Sequence, residues 1–190
     1  MLYITRHGQT DWNKEERLQG HTDIPLNENG KEMAKAAGIR YSDIKFDVCY
    51  SSPLLRAKET AELILEGRDI PIITDDRLKE MCFGEYEGVR GYFKDPNFPL
   101  SNLFRHPEEY VPIRGSESFE SLKERTSSFI EEVLIPDMNA GKTILVVAHG
   151  ALNCGLISQL RKTPLKDFWS NLQQNCELEA FTNITSSQEP

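Results

Sequence analysis

Two segments of this chain end in the same way, and together they restrict its fold more than any other feature. Leu2-Tyr3-Ile4-Thr5 is a mostly apolar, partly β-branched run that leads straight into Arg6-His7-Gly8. Thr143-Ile144-Leu145-Val146-Val147-Ala148 is a second such run, and it leads into His149-Gly150. Runs of this kind read as buried strands, with the glycines marking tight turns at their ends. One histidine after a strand is most often a hydrogen-bonded structural residue. Two in the same local context, one beside an arginine, are hard to ascribe to core packing. In an open α/β sheet both imidazoles would reach the crevice outside the carboxyl ends of the strands, where ligands bind.

Periodicity and breakers organise the rest. Leu26-Asn27-Glu28-Asn29-Gly30 opens a helix carrying Ala34, Ala36, Ala37 and Ile39. A short strand over 46–50 closes at Ser51-Ser52-Pro53, a helix over 54–66 stops at Gly67, and a short strand follows over 70–74. The longest helix is predicted over 118–134, with Phe119, Leu122, Phe129, Ile130 and Val133 on its apolar side. Further helix is predicted over 150–160 and after Pro164, then a last strand over 177–182 and a loose tail over 185–190. Strands alternating with helices imply a three-layer α/β/α fold with a mostly parallel central sheet. The length, 190 residues, suits a single domain spanning 1–190.

Charge and cysteine usage narrow the partners. The net charge of −8 argues against nucleic acid or an anionic membrane surface. A small anionic substrate would need a local basic pocket, so the placement of arginines matters. No uncharged apolar run reaches the length of a membrane span, and the N-terminus lacks the order of a signal peptide. The four cysteines, at positions 49, 82, 154 and 176, form no Cys-x-x-Cys pair. A cytoplasmic protein with reduced thiols is expected. His7, His21, His106 and His149 lack the spacing of metal ligands, so neither a metal nor another cofactor is expected.

Four motifs then carry a resemblance. They are Arg6-His7-Gly8-Gln9-Thr10-Asp11-Trp12-Asn13 with Leu18-Gln19-Gly20-His21-Thr22-Asp23-Ile24-Pro25-Leu26; Ser51-Ser52-Pro53-Leu54-Leu55-Arg56-Ala57-Lys58-Glu59-Thr60-Ala61; Leu78-Lys79-Glu80-Met81-Cys82-Phe83-Gly84-Glu85-Tyr86-Glu87-Gly88; and Val147-Ala148-His149-Gly150. In that order they resemble the histidine phosphatase superfamily, the phosphoglycerate mutase-like clan. The resemblance implies a phosphoglycerate mutase-like fold and a phosphomonoester hydrolase acting through a phosphohistidine on a small phosphorylated metabolite. It implies His7 as nucleophile, Arg6, Arg56 and His149 around the phosphoryl oxygens, and Glu80 as general acid and base. Thr10, Asn13, Gln19 and Gly150 are implied as further substrate contacts. Two alternatives stand beside this reading: a phosphoglycerate mutase, and a non-catalytic phospho-ligand binding protein. The chain is shorter than typical mutases, and Phe83-Gly84-Glu85-Tyr86-Glu87-Gly88 is similar to the phosphatase form of the third motif.

The implied roles make chemical sense. Phosphate monoester hydrolysis is extremely slow uncatalysed, and a covalent intermediate divides it into easier steps. Imidazole must attack in its neutral form, which nearby Arg6 and Arg56 favour. Guanidinium groups hold their charge and match phosphate bidentately. A general acid needs a raised pKa, for which Met81, Cys82 and Phe83 are candidate apolar neighbours of Glu80. Ser116 stands where relatives carry glycine, which requires a backbone there that avoids positive φ. The irregular stretch over 88–116 reads as a substrate-side insertion, since long connections in compact domains are usually functional. Its Tyr92, Phe93, Phe98, Phe104 and Tyr110, beside Arg90, Lys94, Arg105 and Arg114, suit a lid over a phosphorylated organic molecule. The plainer alternative is that its aromatics merely cover the sheet edge.

Overall fold

A computed structural model describes residues 1–182, so the tail expected over 185–190 lies outside the described residues. Five strands form one sheet: β1 (Leu2–Arg6), β2 (Val48–Ser51), β3 (Ile72–Thr74), β4 (Ile144–Ala148) and β5 (Leu178–Phe181), in the order β3-β2-β4-β1-β5. The pairs β2–β3, β2–β4 and β1–β4 are parallel, and β5 runs antiparallel to β1 at one edge. The sheet is therefore mostly parallel, as expected. Its residues alternate between two apolar layers, because side chains in a strand point to opposite faces. Leu2, Ile4, Ile144, Val146 and Ala148 face one core and Leu145, Val147 and Cys49 the other.

Helices cover both faces. On one side lie α2 (Glu28–Arg40) and α3 (Leu55–Ile64), packed through the small residues Ala34, Ala37, Ala57 and Ala61. On the other lie α5 (Phe119–Phe129) and α7 (Gly150–Arg161), packed through Leu122, Phe129, Leu152 and Leu156. The chain thus leaves β1 toward one face and β4 toward the other. These strands are neighbours in register, Arg6 opposite Ala148, so a crevice opens between their carboxyl ends. The remaining short helices are α1 (Asp11–Lys14), α4 (Ser101–Arg105) and α6 (Ile135–Asn139).

Several boundaries differ from expectation. The long helix does not stop at Leu134. It widens into a π turn over Ile130–Leu134 and continues through α6 to Asn139. Pro136 has no N–H to give to the preceding turn, and the π turn absorbs that loss. The stretch after Pro164 is a 3₁₀ segment, Leu165–Asn171. The 88–116 stretch holds α4 and contributes Phe98, Leu100 and Leu103 to the core. Ser116 avoids positive φ as required; Arg114 (φ 47°) and Gly115 (φ 80°) make the turn before it.

Candidate active site

The crevice begins at the end of β1. His7 N–H still bonds the Ala148 carbonyl (3.0 Å), which extends the ladder one residue beyond the strand. The chain then turns sharply at Gly8, whose N–H is held by Thr60 Oγ1 of α3 (2.9 Å). A Cβ at Gly8 would come within 2.5 Å of the Gly30 carbonyl oxygen, so this turn and the start of α2 touch backbone to backbone. Asn175 Nδ2 donates to the His7 carbonyl (2.5 Å) from the opposite side. These contacts fix the imidazole, which is buried with 3% exposure.

The hydrogen bonds fix both tautomers. His7 Nδ1 lies 2.6 Å from the Gly8 carbonyl oxygen, which can only accept, so Nδ1 carries the proton and Nε2 keeps its lone pair. Arg56 Nε donates to His149 Nδ1 (3.2 Å), so the His149 proton sits on Nε2. Burial first, then the Arg56 and Arg6 charges, hold the His7 pKa well below its ordinary value; the Gly8 bond opposes this weakly. His149 is likewise held well below its ordinary value, by burial first and then by Arg56. The two rings lie 5.2 Å apart, centre to centre, and both are neutral at pH 7.

Arg56 is fully buried, and Nη1 and Nη2 bond the Thr22 and Gly20 carbonyls at 3.2 and 2.7 Å. Burial lowers its pKa to about 10, which leaves it cationic at neutral pH. Those two carbonyls are presented by a loop that Glu87 clamps: its carboxylate accepts from the His21 and Thr22 N–H groups at 2.8 and 2.7 Å. Thr10 is also fully buried and caps α1 through a reciprocal box with Asn13. Its hydroxyl donates to Gln19 Oε1 (2.7 Å), which turns the Gln19 amide nitrogen away from it.

Three buried donors find no partner among the described residues: Arg6 Nε, Gln19 Nε2 and His149 Nε2. Unpaired buried donors are costly and call for an acceptor. The α7 N-terminus lies beside Arg6, because a Cβ at Gly150 would lie 3.7 Å from Arg6 Cζ and 3.6 Å from Glu80 Oε2. An anion fits this group of donors.

Glu80 is buried against the same helix end. Its Oε1 accepts from the Leu152 and Met81 N–H groups, both at 2.8 Å, and its Oε2 from Ala151 N–H at 3.1 Å. The carboxyl group is therefore surrounded by backbone donors; Met81 contributes one of these in addition to its apolar side chain. Cys82 turns toward Glu87 and the Gly115 carbonyl instead. The segment carrying Glu80 is braced by Arg125 of α5, which donates to the carbonyls of Arg77 (2.7 Å), Lys79 (2.6 Å) and Glu80 (3.2 Å). Arg125 is itself paired with Glu117 (2.7 Å), whose carboxylate also accepts from Cys82 N–H.

The cleft over this site has a volume of about 310 Å³. Arg6, His7, Asn13, Gln19, Glu80 and Gly150 line it, whereas Thr10, Arg56 and His149 do not; His149 lies behind His7, 5.2 Å away ring to ring. Its outer wall includes Tyr92, Phe93 and Phe104 of the 88–116 stretch, together with Trp169 and Leu172, which sequence reasoning missed. Phe98 is a core residue, not part of the wall. The cations expected in the lid point elsewhere. Arg90 pairs with Glu15, Lys94 with Glu16 and Arg114 with Glu85, while Arg105 donates to the Phe93 carbonyl. A separate groove of about 340 Å³ between α5 and α7 holds neither histidine. Among the described residues, His106, Glu108 and Glu109 cluster closely enough to hold an ion, but they are exposed and do not line the cleft.

The sequence profile of the histidine phosphatase superfamily (branch 1) matches residues 2–187. The chain belongs to that superfamily. It is 37% identical to an uncharacterized phosphatase, PhoE, of Bacillus subtilis (strain 168), over 83% of this chain and 75% of the relative. It is 36% identical to 2,3-bisphosphoglycerate-dependent phosphoglycerate mutase 2 of Gloeobacter violaceus, over 79% of this chain and 70% of that one. The solved structure of Bacillus stearothermophilus YhfR superposes with a TM-score of 0.86 at 32% identity, covering 99% of this chain and 95% of the other. The histidine phosphatase is thus a phosphoric monoester hydrolase with a phosphoglycerate mutase-like fold, working through a phosphohistidine.

Proposed function

We propose that the phosphoryl group of a small phosphorylated metabolite passes to His7 Nε2 and from there to water. The observation that carries this assignment is the His7 tautomer: Nδ1–H is committed to the Gly8 carbonyl, which leaves the Nε2 lone pair free on a ring that shares its cleft with the unpartnered donors of Arg6 and Gln19 and lies 5.2 Å from the His149 ring. The Nε2–P bond forms as the ester P–O bond breaks, and Glu80 gives its proton to the departing alkoxide. In the second step Glu80 takes a proton from water, whose oxygen attacks phosphorus as the Nε2–P bond breaks and inorganic phosphate leaves. Arg6 Nε, Gln19 Nε2, His149 Nε2 and the Asn13 amide hold the equatorial oxygens, beside the α7 N-terminus at Gly150. Arg56 supplies charge and fixes His149, and Thr10 orients Gln19. The whole chain acts as one domain, with 88–116 as its substrate-side insertion, and the reaction uses no cofactor.

His7→Ala tests the assignment: turnover is expected to vanish while the fold persists. Wild-type protein quenched during turnover should carry an acid-labile, base-stable phosphoryl label that this variant lacks; undiminished hydrolysis by the variant would sink the mechanism. The mutase-named relative favours a second reading, in which the phosphohistidine is returned to a phosphoglycerate. Interconversion of 2- and 3-phosphoglycerate outpacing phosphate release would establish it. No helix among the described residues is long and apolar enough to cross a membrane. We place the protein in the cytoplasm, with neither nucleic acid nor membrane as partner, on the support of its −8 charge and its four free cysteines.

A further inference from the structure

The outer half of the cleft differs sharply from its floor. Above the donors, Tyr92, Phe104 and Trp169 follow one another with ring centres 4.9 and 5.3 Å apart and planes inclined by 41° and 31°. Trp169 is fixed by donating Nε1–H to the Leu103 carbonyl (2.6 Å), and Phe93 packs edge-on against Tyr92. Leu172 lines the same space and is 47% exposed. A half-open aromatic and aliphatic wall of this kind favours planar or apolar groups that stack.

The cations of the cleft complete the argument. Arg6 lies at the phosphoryl pocket beside Gly150, and the other arginine lining the cleft, Arg17, is already engaged. Its Nε bonds Glu15 Oε2 (2.6 Å), its Nη1 reaches the Gly88 carbonyl (3.4 Å), and its guanidinium lies 5.8 Å from the Trp12 ring centre. Glu15 holds Arg90 as well, at 2.5 Å. A second anionic group on the substrate would have to compete with Glu15 for Arg17 and approach a carboxylate of like charge. We propose that this site prefers phosphomonoesters whose leaving alcohol carries a planar, uncharged apolar group, and that Glu15 disfavours phosphorylated sugar acids by occupying Arg17. The inference rests on the phosphatase reading above and names its substrate class.

Three alkyl esters test it, so that leaving-group ability does not set the ranking: 2-phenylethyl phosphate, glycerol 3-phosphate and 3-phosphoglycerate. In the wild type, kcat/KM is expected to fall in that order, with at least tenfold between first and last. Phe104→Ala should lower the phenylethyl-to-glycerol ratio about threefold to tenfold, the size of one aromatic contact. Glu15→Ala, at an exposed position, should raise kcat/KM for 3-phosphoglycerate severalfold relative to glycerol phosphate, and adding Arg17→Met should remove that gain. A wild type that prefers 3-phosphoglycerate, or a ratio untouched by both Phe104→Ala and Glu15→Ala, overturns the inference while leaving the phosphatase reading intact. Failure to hydrolyse any of these esters and p-nitrophenyl phosphate as well would overturn both.

Discussion

At the scale of single residues, the site rests on two neutral imidazoles with opposite tautomers. The sequence places arginines beside His7, but the largest cause of its lowered pKa is burial, which no local motif reveals. Ring ¹⁵N spectra at pH 6 are expected to show His7 protonated on Nδ1 and His149 on Nε2; an imidazolium signal from either would contradict the site's electrostatics. The same shift acts on stability. In the unfolded chain both rings take up protons below about pH 6.5, but in the fold they do not. Stability is therefore full above that pH and declines as the pH falls toward the folded pKa values, by up to about 1.4 kcal/mol per pH unit for each ring. Urea midpoints measured between pH 7 and pH 5 check the direction. Glu80 provides the second test at this scale. Glu80→Gln keeps the shape but cannot give a proton, so kcat on alkyl phosphates should drop about 10²–10⁴-fold. The loss on p-nitrophenyl phosphate should be much smaller, because its leaving group needs little protonation. Equal losses would make Glu80 a structural carboxylate and remove it from the proton transfer.

At the scale of elements, what positions the site is how strands and helices meet. Alanine normally improves on glycine in a helix by about 1 kcal/mol. Gly30, in the first turn of α2, should reverse that rule, because a Cβ there would overlap the Gln9 carbonyl oxygen. Gly30→Ala is expected to lower Tm and to cost activity together, since the backbone it displaces carries the His7 turn; a stabilised variant with full turnover would refute the contact. Arg125 makes a parallel case on α5. Arg125→Met removes the ion-pair partner of the half-buried Glu117 carboxylate and frees three carbonyls, which should cost about 1–3 kcal/mol. Adding Glu117→Gln should recover part of that loss in a double-mutant cycle. If Arg125 positions Glu80, residual kcat should fall further on alkyl than on p-nitrophenyl phosphate. This residue was legible in principle, as it sits between Leu122 and Phe129 at helical spacing, on the buried stripe where a charge needs partners. Strand ends, α7 and the two His-Gly turns could be read directly, because burial and period coincide there. Trp169 and Leu172 could not, because a 3₁₀ segment has no long period and its approach to the cleft is set by tertiary packing. The Glu87 clamp escaped for the same reason: its partners, His21 and Thr22, lie far away in sequence.

At the scale of the whole molecule, the charge distribution and the chemistry look opposed. The chain carries −8 overall yet binds a dianion. The resolution is spatial. The surface cations of the insertion are matched with carboxylates, as in Arg90–Glu15, Lys94–Glu16 and Arg114–Glu85, and such exposed pairs contribute little to stability. Positive charge is concentrated at the carboxyl ends of β1 and β4, where the sheet's switch point brings Arg6, buried Arg56 and the α7 N-terminus together. Low dielectric there makes each donor worth more than it would be in water. Two arginines, two imidazoles and a helix end can meet the charge of a transferring phosphoryl group from the protein's own atoms. Hydrolysis is therefore expected to persist undiminished after exhaustive treatment with EDTA. Vanadate, which can take the trigonal-bipyramidal geometry of an in-line transfer, should inhibit competitively and bind more tightly than inorganic phosphate. Its inhibition should weaken in Gln19→Ala, because that variant removes one of the three unpartnered donors while leaving both arginines in place. Activity that EDTA abolishes and added metal restores would show that these groups do not suffice; vanadate inhibition unchanged in Gln19→Ala would remove that amide from the phosphoryl pocket.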